Sequence, residues 1–161
     1  MLIAVTLIYR EGWAQNSMSL FNQSPIPIDL TAILAAGMST ETDISKDNKQ
    51  WINYSFAKNG SDPFASISVS IASGTIPPGI EIYVHAGDFI DQGNNPGHIG
   101  KSAGKIRVDH VPQVLIYDIG TSNTGRGKRR GHKITYSVLV TDYALLQSGD
   151  FNLYLQYTLQ Q

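Results

Sequence analysis

Apolar and polar residues alternate one for one in run after run of this 161-residue chain. Ile67, Val69 and Ile71 alternate with Ser66, Ser68 and Ser70, and Ile80, Ile82 and Val84 with Glu81 and Tyr83. The pattern returns at Ile134, Tyr136, Val138 and Val140. It is cleanest at Phe151, Leu153, Leu155, Tyr157 and Leu159, set against Asn152, Tyr154, Gln156 and Thr158. Successive side chains of a strand point to opposite faces, so each run predicts a strand with one face buried, and no long run repeats at the 3.6-residue period of a helix. Ile106 and Val108 mark a further strand, and the apolar run "VLIYDI" (114–119) reads as a central strand covered on both sides. Ile26, Ile28 and Leu30 alternate beside Pro25 and Pro27, and since proline cannot donate to a ladder, that strand belongs at an edge.

Turn formers separate the runs: "KNGSDP", "SGTIPPG", "GNNPG", "SAG", "GTSNTGRG" and "QSGD". Strands spaced by about ten residues with such punctuation predict an all-β fold, an antiparallel β-sandwich or barrel, with at most one short helix at "DLTAILAAGM". No second domain, heptad or internal repeat interrupts the pattern. The chain is long enough to bury a core without metal or cross-links, and it has no cysteine to form a disulfide or a thiolate site.

The start, "MLIAVTLIYREGWAQ", is apolar and reaches the small-x-small arrangement Gly12-Trp13-Ala14, which reads as the end of a truncated signal peptide over residues 1–14, leaving a single β-sandwich domain at 15–161. The alternative is that Leu2 to Tyr9 form a first strand. The segment is too short to span a bilayer, which takes about 20 apolar residues. Only 16% of residues are charged, which with abundant Ser, Thr, Asn, Gln and Gly suits an exported β-protein. Asn22, Asn53 and Asn59 head N-x-S sequons.

Net charge is −1, which argues against polyanion binding by the chain as a whole. Its distribution is uneven: residues 1–100 carry four basic and nine acidic side chains, and residues 101–161 carry eight basic and four acidic. The basic excess gathers in "GTSNTGRGKRRG" (120–131). Gly120 and Gly125 have phosphate-loop spacing, but Arg126 stands where lysine belongs and Gly127 where a hydroxyl belongs. The following "KITYSVLV" has strand periodicity where a helix would have to begin, so no helix N-terminus faces a phosphate. Nor does the loop carry an aromatic residue on which a base could stack, which disfavours nucleic acid. What remains is a flexible basic hairpin tip, with Arg126, Lys128, Arg129 and Arg130 available to an acidic glycan, lipopolysaccharide or acidic partner.

A second stretch, "HAGDFIDQGNNPGH", places Asp88 and Asp91 near His85, His98, Asn94 and Asn95, a candidate divalent-ion site whose Asp-x-x-Asp spacing matches no EF-hand and whose residue types are also those selected by β-turns. For catalysis, no serine sits in a G-x-S-x-G elbow, and His85, His98, His110 and His132 have no partner at a telling spacing. The residues predict no enzyme and no cofactor.

The C-terminal run "DFNLYLQYTLQQ" with Tyr157, the stretch "GTSNTGRG...GHKITYSVLV" and the leader-like start together resemble the secreted subunits of bacterial chaperone–usher fimbriae, particularly the archaic type related to spore coat protein U. The likeness is one of general layout over residues 60–161. It implies an immunoglobulin-like, pilin-like sandwich that lacks one strand, whose groove is filled first by a periplasmic chaperone and then by the extension of a neighbouring subunit, through β-strand addition. Carried onto this chain, it assigns Phe151, Leu153, Leu155, Tyr157 and Leu159 to the groove wall, and Met18, Leu20, Ile26, Ile28 and Leu30 to the donor strand. The expected role is an exported structural or adhesive subunit in the periplasm or at the bacterial cell surface. The alternative is a secreted monomeric sandwich that binds a glycan or a divalent ion.

Overall fold

A computed structural model of the chain describes residues 2–7, 16–27, 41–44, 50–90, 96–146 and 151–161. Its strands, numbered in chain order, form two sheets. The first runs β3 (Ile26–Pro27), β1 (Leu2–Leu7), β13 (Asn152–Gln160), β6 (Ala65–Ser73), β10 (Gln113–Ile119), β8 (Lys101–Ser102). The second runs β11 (Ser122–Asn123), β5 (Gln50–Phe56), β12 (His132–Val140), β7 (Ile80–Ala86), β9 (Lys105–Arg107), with β2 (Ser17–Phe21) also on β5 and β4 (Thr42–Asp43) on β12. The fold is an all-β sandwich, and the described helical content is one 3-10 turn at Tyr143–Leu145. The segment "DLTAILAAGM" lies outside the described residues.

The alternation works as expected in β7, β12 and β13, whereas in β6 the intervening Ser68 and Ser70 are buried along with the apolar face. Ile67 and Val69, Ile82 and Val84, Ile134, Tyr136 and Val138, and Leu153, Leu155 and Tyr157 are buried between the sheets. Fully burying one such aliphatic side chain stabilises by roughly 1.5–3 kcal/mol, so this cluster can hold a cysteine-free fold. β10 departs from expectation. Leu115, Ile116 and Ile119 face the core, but Val114 and Tyr117 are exposed, so the strand is covered on one face. Two register shifts against β6 and a left-handed Asp118 bend it, and its far side is paired over two residues of β8. The apolar run therefore marks a bulged strand near an edge.

Ile26 is buried in the terminal strand β3, next to exposed Pro27, in keeping with the edge position that its prolines demand. Leu2–Leu7, the apolar start of the chain, is strand β1. It pairs parallel with β13 from Leu2↔Asn152 to Leu7↔Tyr157, and antiparallel with β3 at two positions. The small-x-small motif at 12–14 lies outside the described residues. No described helix is long and apolar enough to cross a membrane.

Candidate functional site

The basic stretch is not a hairpin tip. The strand before it, β10, belongs to the first sheet and the strand after it, β12, to the second, so residues 120–131 carry the chain from one layer to the other. On the way, Ser122 and Asn123 form β11 on the outer end of β5. The chain then leaves the sheet and rejoins it at His132, opposite Ile52.

Loop 124–131 is pinned rather than free. Thr124 makes a two-way tie to Tyr54: its N–H donates to the Tyr54 carbonyl at 2.9 Å and its Oγ1 accepts from the Tyr54 N–H at 2.9 Å. Asn53, on the outward face of β5, then grips the loop from beneath. Its Oδ1 accepts from the Gly127 N–H at 2.8 Å and its Nδ2 donates to the Arg130 carbonyl at 2.5 Å. The loop folds over this amide so closely that Asn53 is buried on a face that would otherwise be open. Asn123 Oδ1 accepts from the Gly125 N–H at 2.9 Å, an Asx turn that starts the reversal. At Gly131 the backbone is left-handed and passes so near the Ile52 carbonyl oxygen that any Cβ would collide with it.

On this frame stand Arg126, Lys128, Arg129 and Arg130, and no carboxylate pairs with any of them among the described residues. Arg126 and Gly125 border a hollow of about 190 Å³, completed by Ser17 and Ser19 of β2, Asn53 and Ser55 of β5, and Asn123. Arg130 lies across Gly125, its Cδ 3.4 Å from where a Cβ on that residue would sit. The hollow is thus lined by hydroxyl and amide groups, with the Arg126 side chain at its rim and the Arg130 side chain next to its Gly125 border. Ser17, Ser19, Ser55 and Asn123 were not singled out from the sequence, because they come from three strands and meet only through the register Ser17↔Ser55 and Asn123↔Ser55.

Beneath the loop, His132 has the partner that its sequence context hides. Its Nδ1–H donates to the Gly87 carbonyl at 2.8 Å, leaving Nε2 to accept from the Tyr54 hydroxyl at 3.1 Å, while the Gly100 N–H donates to that same hydroxyl at 2.9 Å. The two rings stack at 5.8 Å. Every polar atom is satisfied with the imidazole neutral, and burial lowers the His132 pKa below the usual histidine value. Burial likewise raises the Tyr54 pKa. No strong base or nucleophile results from this arrangement; it ties β5, β12 and two loops together.

The other sequence candidates are dispersed. Asp88 is exposed, Asp91 lies outside the described residues, and His98 lies beside the end of β10, 3.5 Å from Asp118, where Lys101 also holds the carboxylate and lowers its pKa. No group of three or more His, Asp or Glu side chains that could hold a metal forms among the described residues. Of the groove-wall set, Leu153, Leu155 and Tyr157 are in the core, and Phe151 and Leu159 are half-buried at the ends of β13. Of the donor set, Met18 and Leu20 lie in β2 on the second sheet and Ile26 in β3 on the first, while Ile28 and Leu30 lie outside the described residues. Compared with known proteins, the chain matches no family model, no curated sequence and no solved structure.

Proposed function

We propose that this chain is an exported, non-enzymatic structural or adhesive subunit of a fimbria-like surface assembly, joined to its neighbours by strand addition along β13. The observation that carries the reading is the way the far side of β13 is covered. On one side β13 pairs with β6 in a long antiparallel ladder; on the other it meets β1, the sole parallel partner among the described strands. Parallel pairing is slightly weaker per residue than antiparallel pairing. The strand that fills this position is the same leader-like segment that export would remove. Its loss would leave the backbone groups of Asn152 to Tyr157 unpaired along an edge, a template for a strand from another chain. A periplasmic chaperone would hold that edge before a neighbouring subunit does.

The test is to compare the whole chain with one lacking residues 1–14 by light scattering and thermal unfolding. The reading expects the shortened chain to self-associate or to melt broadly, and to be rescued as a monomer by a synthetic peptide of residues 1–9. A shortened chain that stays monomeric and melts as sharply as the whole one would overturn it.

A further inference from the structure

We propose that loop 124–131 and the hollow beside it form a binding subsite for an acidic polysaccharide, taking one anionic sugar ring at a time. The proposal goes beyond the subunit reading and does not depend on it. Three features meet here. The cations Arg126, Lys128, Arg129 and Arg130 crowd into five positions without a described counter-ion, an arrangement whose self-repulsion a bound anion would relieve. They stand on a backbone fixed by Asn53, Thr124 and the close approach at Gly131, so binding has to order their side chains but not the loop backbone. The hollow at their base presents Ser17, Ser19, Ser55 and Asn123, groups that donate to and accept from sugar hydroxyls.

Size and lining narrow the class. At about 190 Å³ the hollow is smaller than the roughly 300–1,000 Å³ of sites that enclose a whole drug-sized ligand, which fits one ring of a polymer that continues across the surface. The aromatic residue bordering it, Tyr54, has its ring stacked on His132 in the core, so the hollow offers no platform for a nucleobase. Arginine pairs with a carboxylate or sulfate through two parallel N–H bonds, which places an acidic group at the rim while the ring's hydroxyls face the serines.

Three polymers separate this proposal from simple charge attraction when titrated against the whole chain: polygalacturonate, neutral dextran and inorganic polyphosphate. Polygalacturonate is expected to bind and dextran not to, with affinity falling steeply between low salt and about 0.3 M, where the screening length drops well below 10 Å. Replacing Arg126 and Arg130 with serine should weaken polygalacturonate binding about tenfold, from two partly exposed charge contacts of a few-fold each. Ser17→Ala with Ser55→Ala removes two lining hydroxyls without touching the bonds that hold the loop, and should weaken polygalacturonate but leave polyphosphate binding unchanged. Should the arginine pair disturb folding, Lys128→Ser with Arg129→Asn alters exposed positions alone, and asparagine suits the left-handed backbone at 129. That variant is expected to weaken polygalacturonate binding a few-fold. Equal binding of polyphosphate and polygalacturonate with no effect of the Ser17/Ser55 variant, or no binding of polygalacturonate at all, overturns the proposal.

Discussion

The hydroxyl of Tyr157 on β13 meets the hydroxyl of Tyr136 on β12 at 2.7 Å, a buried hydrogen bond that crosses between the two sheets. Tyr136 donates onward to Gln50 Oε1 at 2.9 Å, so the Tyr157 proton is the one that points into the pair. Gln50 Nε2 in turn donates to the Ser24 carbonyl at 3.4 Å, which ties the segment between β2 and β3 to the same chain of bonds. Both tyrosines and Gln50 are buried. The tyrosine nearest the chain end thus serves as a bolt between the layers as well as packing against the core of the first sheet.

The two tyrosines should not be equivalent to mutation. Tyr157→Phe removes one donor and leaves Tyr136 still bonded to Gln50, a loss of about 1 kcal/mol in urea unfolding. Tyr136→Phe strands both the Tyr157 hydroxyl and Gln50 Oε1 in the interior, each costing about 1–3 kcal/mol when left unpaired. The double variant should therefore be no less stable than Tyr136→Phe alone.

Alkaline pH should unfold the protein through the same groups. Burial raises the pKa of Tyr54, Tyr136 and Tyr157 above the ordinary phenol value, so the folded chain keeps protons that the unfolded chain releases. Stability is fully present below about pH 10 and is lost as pH rises beyond it. Unfolding followed by tyrosinate absorbance at about pH 11 should be cooperative, with these tyrosines ionising together with loss of structure; their ionisation in a still-folded chain would contradict the burial assigned here.

The strands of the core were legible because alternation is a local property: Leu153, Leu155 and Tyr157 declare their common face to any reader of the sequence. What lay across that face was not. Tyr54 and His132 are 78 positions apart, and neither "INYSF" nor "GHKITY" carries a sign of the other. The apolar run at 114–119 looked covered on both faces because hydrophobicity cannot report how few strands lie beyond it. The basic stretch was recognisable by its charge, but its glycines and lack of periodicity pointed to a flexible turn. Its rigidity comes from Asn53, a residue that sequence marked only as a sequon and that the fold buries as a clamp.

Acid should weaken the fold through His132. Its pKa is lowered chiefly by burial, with the Gly87 carbonyl and Asp88 partly opposing, so the folded state disfavours the imidazolium. The unfolded chain takes up a proton as pH falls through about 6.5 while the folded one does not, and stability declines by up to about 1.4 kcal/mol per pH unit below that point. His132→Gln should be less stable at pH 8 but show a shallower decline between pH 6.5 and 5. Parallel curves for the two proteins would remove His132 from the account.

Asn53→Ala should release the basic loop without unfolding the sandwich. The substitution frees the Gly127 N–H and the Arg130 carbonyl, and because the loop overlies the outer face of β5, water can reach both once it lifts. The cost is therefore the net value of the lost bonds, about 1–3 kcal/mol, rather than the larger penalty of stranded groups in the core. Amide exchange should speed up at residues 125–130 and stay slow in β6, β12 and β13. Gly131→Ala attacks the same join differently: the new methyl meets the Ile52 carbonyl, and the backbone there is left-handed, so β5 and β12 must separate locally. It should destabilise more than Asn53→Ala, by upwards of about 2 kcal/mol, and should also speed exchange in β12 near His132. If exchange in the loop is already fast in the unaltered chain, the loop is not held as described and both variants should have little effect on it.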